Sequence, residues 1–321
     1  MFDVITIGDA TMDTFLVIQD NNASCSLQKK KRLLCLHYAD KIPISKAVQS
    51  VGGGAANVAT ACAKLGLNSA LISTLGDDVN GHAILSALKD ADVTTKYIRV
   101  EKDKETRYAV VLNYHSERTI LSHHSNRTYT FPRCSTPSWF YYSSLGGNYV
   151  SFQKKFISFL KKNKKTKVAM NPGSYQLKYH MNAVRDMLLY TDLLFINKEE
   201  AMCIVGKRMQ IKPLLKTLQK KVPLVVITDS TRGSYSYDGQ HVFHMPVYPI
   251  TPLARTGAGD AYASGFLGAI AKKKNVYEAM MWGTANASGV ITKFGAQEGL
   301  RTTSTITSFI RKYKPIHPGL I

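Results

Sequence analysis

The run ARTGAGDAYASGFLGAI at residues 254–270 puts two glycines, an alanine and one aspartate ahead of a stretch with helical apolar spacing. Gly257, Ala258, Gly259 and Asp260 are therefore expected in the first turn of a helix. About four backbone N–H groups go unpaired in a first turn, and the helix dipole adds positive potential there. Glycine lets a phosphate come close to the main chain. Such a turn is an anion hole for a transferring phosphoryl group, with Asp260 beside it to take the proton of an attacking hydroxyl. A helix-capping aspartate in a plain glycine turn would be written with the same letters, so the rest of the chain must decide.

Other nucleotide signatures are missing. The chain has no G-x-x-x-x-G-K-[ST], and GGGAAN and GAGDAY both fail the last position of G-x-G-x-x-G, which excludes the dehydrogenase fingerprint. The HSE at 115–117 lacks the downstream P-C-x-x-C of a zinc deaminase. What is present is an ordered series: DATMD near the N-terminus, GGGAANVATACAKLG at 52–66, INKEEA at 196–201, VITDSTRG at 226–233, TGAGD at 256–260 and TANASGVITKFGA at 284–296.

That series resembles the ribokinase-like (PfkB) carbohydrate kinase family over essentially the whole chain. The resemblance implies a single domain over residues 1–321, a Rossmann-type α/β/α sandwich with a small β-sheet lid. It also implies ATP-dependent phosphorylation of a hydroxyl on a small sugar, with a nucleoside as the alternative acceptor. Asp260 would be the base, and Gly257, Ala258 and Gly259 the anion hole. Asp13, Gly52, Gly53 and Asn57 would hold the acceptor's hydroxyls. Asn197, Thr228, Ser230, Gly233 and Asn286 would line the nucleotide site, and Glu200 would hold Mg²⁺ through water. Lids in this family often pair, which implies a homodimer.

Two positions depart from the family pattern. Ala254 and Arg255 stand where the element before TGAGD usually carries an acidic residue, which argues against activation by a monovalent cation and places a guanidinium near phosphate. TDSTRG replaces T-x-G-x-x-G, so Ser230 brings a Cβ to a glycine position and Asp229 adds negative charge. With the net charge of +20, these changes motivate a rival reading, a non-catalytic ligand or nucleic-acid binder on the kinase fold.

The elements that must position these residues follow from periodicity. Near-continuous apolar runs at 2–8, 69–76, 139–145, 167–171, 192–197 and 223–228 alternate with helical segments at 54–66, 80–90, 151–163, 180–190 and 198–206. Such alternation implies a parallel sheet covered on both faces. Segments within 13–50 and 96–130 break the rhythm and are read as short antiparallel strands of the lid. Thr106, Arg107, His123, His124 and Asn126 are lid candidates for acceptor contacts, and Phe15, Tyr108 or Tyr114 could stack on a base.

Composition fits a globular enzyme: 45% of residues are apolar and 20% charged, with no apolar run long enough for a membrane helix. Five cysteines without a C-x-x-C pair indicate neither a disulfide framework nor a zinc knuckle. The N-terminus reads as a strand rather than a signal peptide, so the expected address is the cytoplasm. The basic runs at 29–32, 161–167 and 272–274 are scattered, and the last two follow helical stretches, which favours a solvated surface over a nucleic-acid face.

Overall fold

The computed structural model describes residues 1–19, 21–28, 33–114, 117–123 and 127–321. The basic run at 29–32 and the lid candidates His124 and Asn126 lie outside the described residues.

The strands are β1 (Val4–Ile7), β2 (Thr11–Ile18), β3 (Cys25–Gln28), β4 (Leu33–Leu36), β5 (Ile44–Gly52), β6 (Ser69–Gly76), β7 (Ile98–Glu101) and β8 (Tyr108–Tyr114). They continue as β9 (Glu117–His123), β10 (Trp139–Tyr142), β11 (Lys167–Met170), β12 (Leu193–Asn197), β13 (Leu224–Thr228), β14 (Ser234–Tyr237), β15 (Val242–Met245) and β16 (Gly319–Leu320). The helices are α1 (Gly54–Lys64), α2 (Val79–Asp90), α3 (Val150–Lys162), α4 (Ser174–Tyr179) and α5 (Met181–Leu188). After them come α6 (Lys198–Val205), α7 (Ile211–Gln219), α8 (Ala258–Ala271), α9 (Val276–Val290) and α10 (Thr303–Lys312).

Ten strands form the main sheet in the order β16-β15-β14-β13-β12-β11-β10-β1-β6-β7. From β13 to β7 every pairing is parallel, and the β14–β16 edge is antiparallel. The parallel strands are apolar almost throughout because both their faces are covered. Alternate residues feed two cores. Ile5, Ile7, Phe140 and Tyr142 pack with side chains of α3 to α7. Val4, Trp139 and Tyr141 pack with α1, α8, α9 and α10. The layered α/β/α architecture matches the expectation from sequence.

The lid is a separate four-stranded sheet, β5-β2-β8-β9. It is not wholly antiparallel as expected: β2 and β8 pair parallel, with Asp13 opposite Ala109. Both strands leave the main sheet in the same direction, and a crossover through α1, β6, α2 and β7 separates them, so a hairpin pairing is unavailable. The stretch KYIRV also leaves the expected lid, because β7 pairs with β6 at the edge of the main sheet. RTYTF at 127–131 forms no strand; instead Arg127 is buried and donates to the carbonyls of Thr74 and Glu105.

This topology puts β1, β10, β11, β12 and β13 side by side in one direction, so the residues after their C-terminal ends share one edge of the sheet. Ligand crevices in open α/β sheets form at that edge. The small residues of α8 have a packing reason beyond the first turn. A Cβ at Gly265 would lie 2.7 Å from the Trp282 carbonyl and 3.0 Å from Gly283 Cα, so α8 and α9 approach backbone to backbone. Gly265→Ala is expected to destabilise the protein: overpacking costs about 1–3 kcal/mol, against a helix-propensity gain of at most about 1 kcal/mol. A lower urea midpoint with unchanged slope is the expected measurement, and an unchanged midpoint would contradict this packing account.

Candidate active site

Asp260 stands in the first turn of α8, after Gly257, which caps the helix in the left-handed conformation at φ 77°. Only glycine suits Gly257 for a second reason: a Cβ there would lie 2.6 Å from Ala296 Cα. Gly259 is different. A Cβ at Gly259 would meet nothing within 4 Å, so this glycine leaves open space over the first-turn amides.

The Asp260 carboxylate faces the start of α1. A Cβ at Gly54 would lie 3.2 Å from Asp260 Oδ1 and 2.6 Å from Ser143 Oγ. The carboxylate therefore sits where the N-terminal ends of α1 and α8 meet, in the positive field of both. Asn57 Nδ2, one turn into α1, donates to Asp260 Oδ2 at 2.8 Å. Helix ends and this hydrogen bond favour the charged carboxylate, but burial outweighs them and Asp13 adds a like charge, so the Asp260 pKa is raised above its ordinary 3.8.

Asp13 lies in β2 with 8% of its surface exposed. Thr11 Oγ1 donates to Asp13 Oδ1 at 2.7 Å. Burial raises the Asp13 pKa, opposed by that hydrogen bond and by Arg107. Gly52 is confined to glycine because a side chain there would overlap the Asp13 carboxylate. Gly53, at φ 89°, would place a Cβ 2.8 Å from Ala10 Cα. The three consecutive glycines thus bring α1 against β1 and β2 and leave Asp13, Asn57 and Asp260 in one cluster. Gly54 and Ser143 are parts of it that sequence reasoning missed.

Arg107 forms an ion pair with Asp9, which has 1% of its side chain exposed, and Tyr129 donates to Asp9 at 2.7 Å. Arg107, a lid candidate from sequence, also lies in the field of Asp13. Thr106, another candidate, instead donates through its hydroxyl to Asp78 Oδ1 at 2.6 Å and serves the start of α2. His123 pairs with Glu105 at 2.9 Å, both largely exposed. The three aromatic residues considered as base platforms are occupied inside the lid: Phe15 is fully buried, Tyr108 donates to Thr14 Oγ1, and buried Tyr114 donates to the Cys25 carbonyl.

On the other side of Asp260 lies a cleft of about 450 Å³. Its inner end is Ala258 and Gly259, one wall is Thr228, Ser230 and Gly233, and the other is apolar, with Tyr248, Ile250 and Ile291. Arg255 reaches it from the α8 approach and Arg118 from the lid; only the first was anticipated. Ser230 holds φ 52°, so the backbone keeps the left-handed turn of a glycine position although a serine occupies it. The negative charge expected from Asp229 is neutralised. Arg232 clamps it with two 2.7 Å hydrogen bonds, Lys198 lies 3.5 Å away, and together they hold its pKa down. Ala254 is buried and presents only a methyl group.

Asn197 and Glu200 cap α6 reciprocally: Asn197 Oδ1 accepts from the Glu200 amide and Glu200 Oε2 from the Asn197 amide, each at 2.9 Å. Burial and the negative charges of Glu199 and Asp260 raise the Glu200 pKa, so its carboxylate lies in the field of Asp260. Asn286 is a correction. It is fully buried, its Nδ2 donates to the Ala261 carbonyl and Ser264 Oγ, and its Oδ1 accepts from the Arg301 amide. It ties α8 to α9 and presents nothing to the cleft. Its neighbours Thr284, Ala287 and Ser288 line the cleft instead. The resemblance pointed to this stretch but not to which of its residues faces the cleft.

The sequence profile of the pfkB family carbohydrate kinases matches residues 12–303. A nucleoside kinase from Methanocaldococcus jannaschii is 26% identical over 286 residues, covering 85% of this chain and 89% of that protein. A 5-dehydro-2-deoxygluconokinase from Bacillus subtilis is 25% identical over 293 residues, covering 81% and 86%. The structure of Arabidopsis thaliana ribokinase, complexed with ribose and ATP, superposes with a TM-score of 0.78 at 20% identity over 97% and 99% of the two chains. Among the described residues no helix is long and apolar enough to cross a membrane. With a family match over most of its length, a ribokinase fold and a carboxylate at a helix N-terminus, the chain belongs to the pfkB carbohydrate kinases, phosphotransferases that act on hydroxyl acceptors.

Proposed function

We propose that this protein transfers the γ-phosphoryl group of ATP to a hydroxyl of a small sugar, with Asp260 as the base. The observation that carries this reading is the Asp260 carboxylate, bonded to Asn57, close to Asp13, and in the same helix turn as Ala258 and Gly259, which line the cleft. Adjacent sugar hydroxyls suit a carboxylate and an amide that accept and donate. The commitment of Phe15, Tyr108 and Tyr114 inside the lid favours a sugar over a nucleobase-bearing acceptor.

The cleft fits a nucleotide. Its apolar wall suits a base, and its open first-turn amides and two arginines suit phosphates. Glu200 is the carboxylate placed to hold Mg²⁺ through water, the ligand number usual for an ion carried mostly by phosphates. When bound, Mg²⁺ neutralises charge on the phosphates. The chain's own work is narrower. Asp13 and Asn57 orient the acceptor, Asp260 Oδ1 takes the hydroxyl proton, and the amides of Gly257, Ala258 and Gly259 stabilise the charge developing on the transferring group. The lid excludes water that would otherwise spend ATP.

ADP release against pentoses, hexoses, sugar acids, sugar phosphates and nucleosides tests the reading directly. One small sugar is expected to support turnover, and Asp260→Asn to lower kcat by about 10²- to 10⁴-fold with ATP binding preserved. Turnover indifferent to Asp260 would overturn the base, and a nucleoside as sole acceptor would overturn the sugar. Because Asp260 works deprotonated and its pKa is raised, kcat/KM should fall with decreasing pH, with a midpoint above 3.8. An acid limb at or below that value would contradict the burial argument. Ser230→Gly should leave stability nearly unchanged, since relief of about 1 kcal/mol of left-handed strain is offset by the freedom glycine gains unfolded. Removing that Cβ from the cleft wall should lower the KM for ATP, and a raised KM would contradict the crowding account.

A further inference from the structure

The turn at 292–300, between α9 and α10, carries the end of the 284–296 motif and then Gln297, to which no role has been given, and it touches three parts of the site. Ala296 packs against Gly257 at the anion hole. Gly295, at φ 103°, would place a Cβ 3.2 Å from Ser50 Oγ on lid strand β5, directly across from Asp13. Gln297 Nε2 donates to Asn57 Oδ1 at 3.2 Å.

The last contact has a consequence for the base. The Asn57 side chain is buried and has two chemically opposite ends. Nδ2 can only donate and Oδ1 can only accept. With Nδ2 toward Asp260 the carboxylate gains a hydrogen bond; with the amide turned over, two oxygens would face each other. The carboxylate, which only accepts, selects the first orientation, and donation from Gln297 Nε2 fills the Oδ1 end that this orientation leaves. We propose that Gln297 is a positioning residue that holds the Asn57 amide in that place from its Oδ1 end and through it holds the Asp260 carboxylate for proton abstraction. This inference rests on the reading of Asp260 as the base.

The charged and titratable groups that face Asp260 come from three other elements. They are Asp13 on the lid, itself faced by Arg107, Glu200 at the start of α6, and Tyr141 on β10. None of these is a hydrogen-bond donor to its carboxylate in this structure, so the Asn57 amide is the contact whose loss the base should register. Loss of that donor disfavours the ionised carboxylate and moves the acid limb of kcat/KM upward.

The test compares Gln297→Glu and Gln297→Met in the full chain, each checked for an unchanged thermal midpoint. Glu keeps the shape, accepts where Gln donated, and would turn the Asn57 amide away from Asp260. Met keeps the length and leaves Asn57 Oδ1 without its donor, so the amide is held from one end only, with no charge added. The expected result is a kcat loss of about 10- to 100-fold for Gln297→Glu, the size of a charge-assisted hydrogen bond. Gln297→Met should show a smaller loss, and both acid limbs should move to higher pH. Equal losses in the two variants without movement of the acid limb would reduce Gln297 to a packing residue and overturn the proposal. Wild-type kinetics in both would do the same. Should Gln297→Glu fail to fold, the acid limb of Gln297→Met decides alone. Asp260→Asn, run alongside, separates the two failures. Full turnover in that variant removes the base itself, whereas its inactivity beside unshifted Gln297 variants removes only the positioning role.

Discussion

Burying a carboxylate beside a second carboxylate costs several kcal/mol unless dipoles and hydrogen bonds answer it. The site depends on solving that problem for Asp260. Two helix N-termini and one amide supply the answer, and the amide comes from Asn57, 203 positions earlier in the chain. For that bond to form, α1 and α8 must lie on the same face of the sheet with their first turns in contact. Strand order β10-β1-β6 places α1 there, and the interlocked backbones of α8 and α9 fix the other partner.

The glycines around the site follow from the same demand for close approach, but not all in the same way. Gly52 makes room for the Asp13 carboxylate, Gly53 lets the chain turn against Ala10, and Gly54 makes room for Ser143 and Asp260. Gly257 packs on Ala296, while Gly259 keeps the amides uncovered. Four of these positions are closed to a side chain by neighbours already in place. The fifth is open, as a position that serves an incoming anion should be.

Charge is arranged with comparable economy. The run at 161–167 follows the C-terminal end of α3, and the run at 272–274 ends α8, whose opposite end carries Asp260. Fourteen residues of helix span roughly 21 Å, so the 272–274 lysines sit well away from the base and complement the negative end of the dipole. At the cleft itself the local negative charge of Asp229 is cancelled by Arg232 and Lys198, and Arg255 and Arg118 supply positive charge. The large net charge is thus mostly a property of the surface, and the site draws on a few arginines.

The sequence by itself determined the α/β class, because buried parallel strands and amphipathic helices write different periods into the chain. It also determined the local form of TGAGD and GGGAAN, because a helix first turn and a glycine turn are local objects whose residues are neighbours. Tertiary structure decided what no local pattern holds. The parallel pairing of β2 with β8, the withdrawal of Asn286 into the α8–α9 contact, and the meeting of Asn57 with Asp260 and Gln297 join residues far apart along the chain. An amide such as Asn57, Asn286 or Gln297 is equally able to bind a ligand or a helix. Which it does is settled by the donors and acceptors that folding places within 3 Å or so of it.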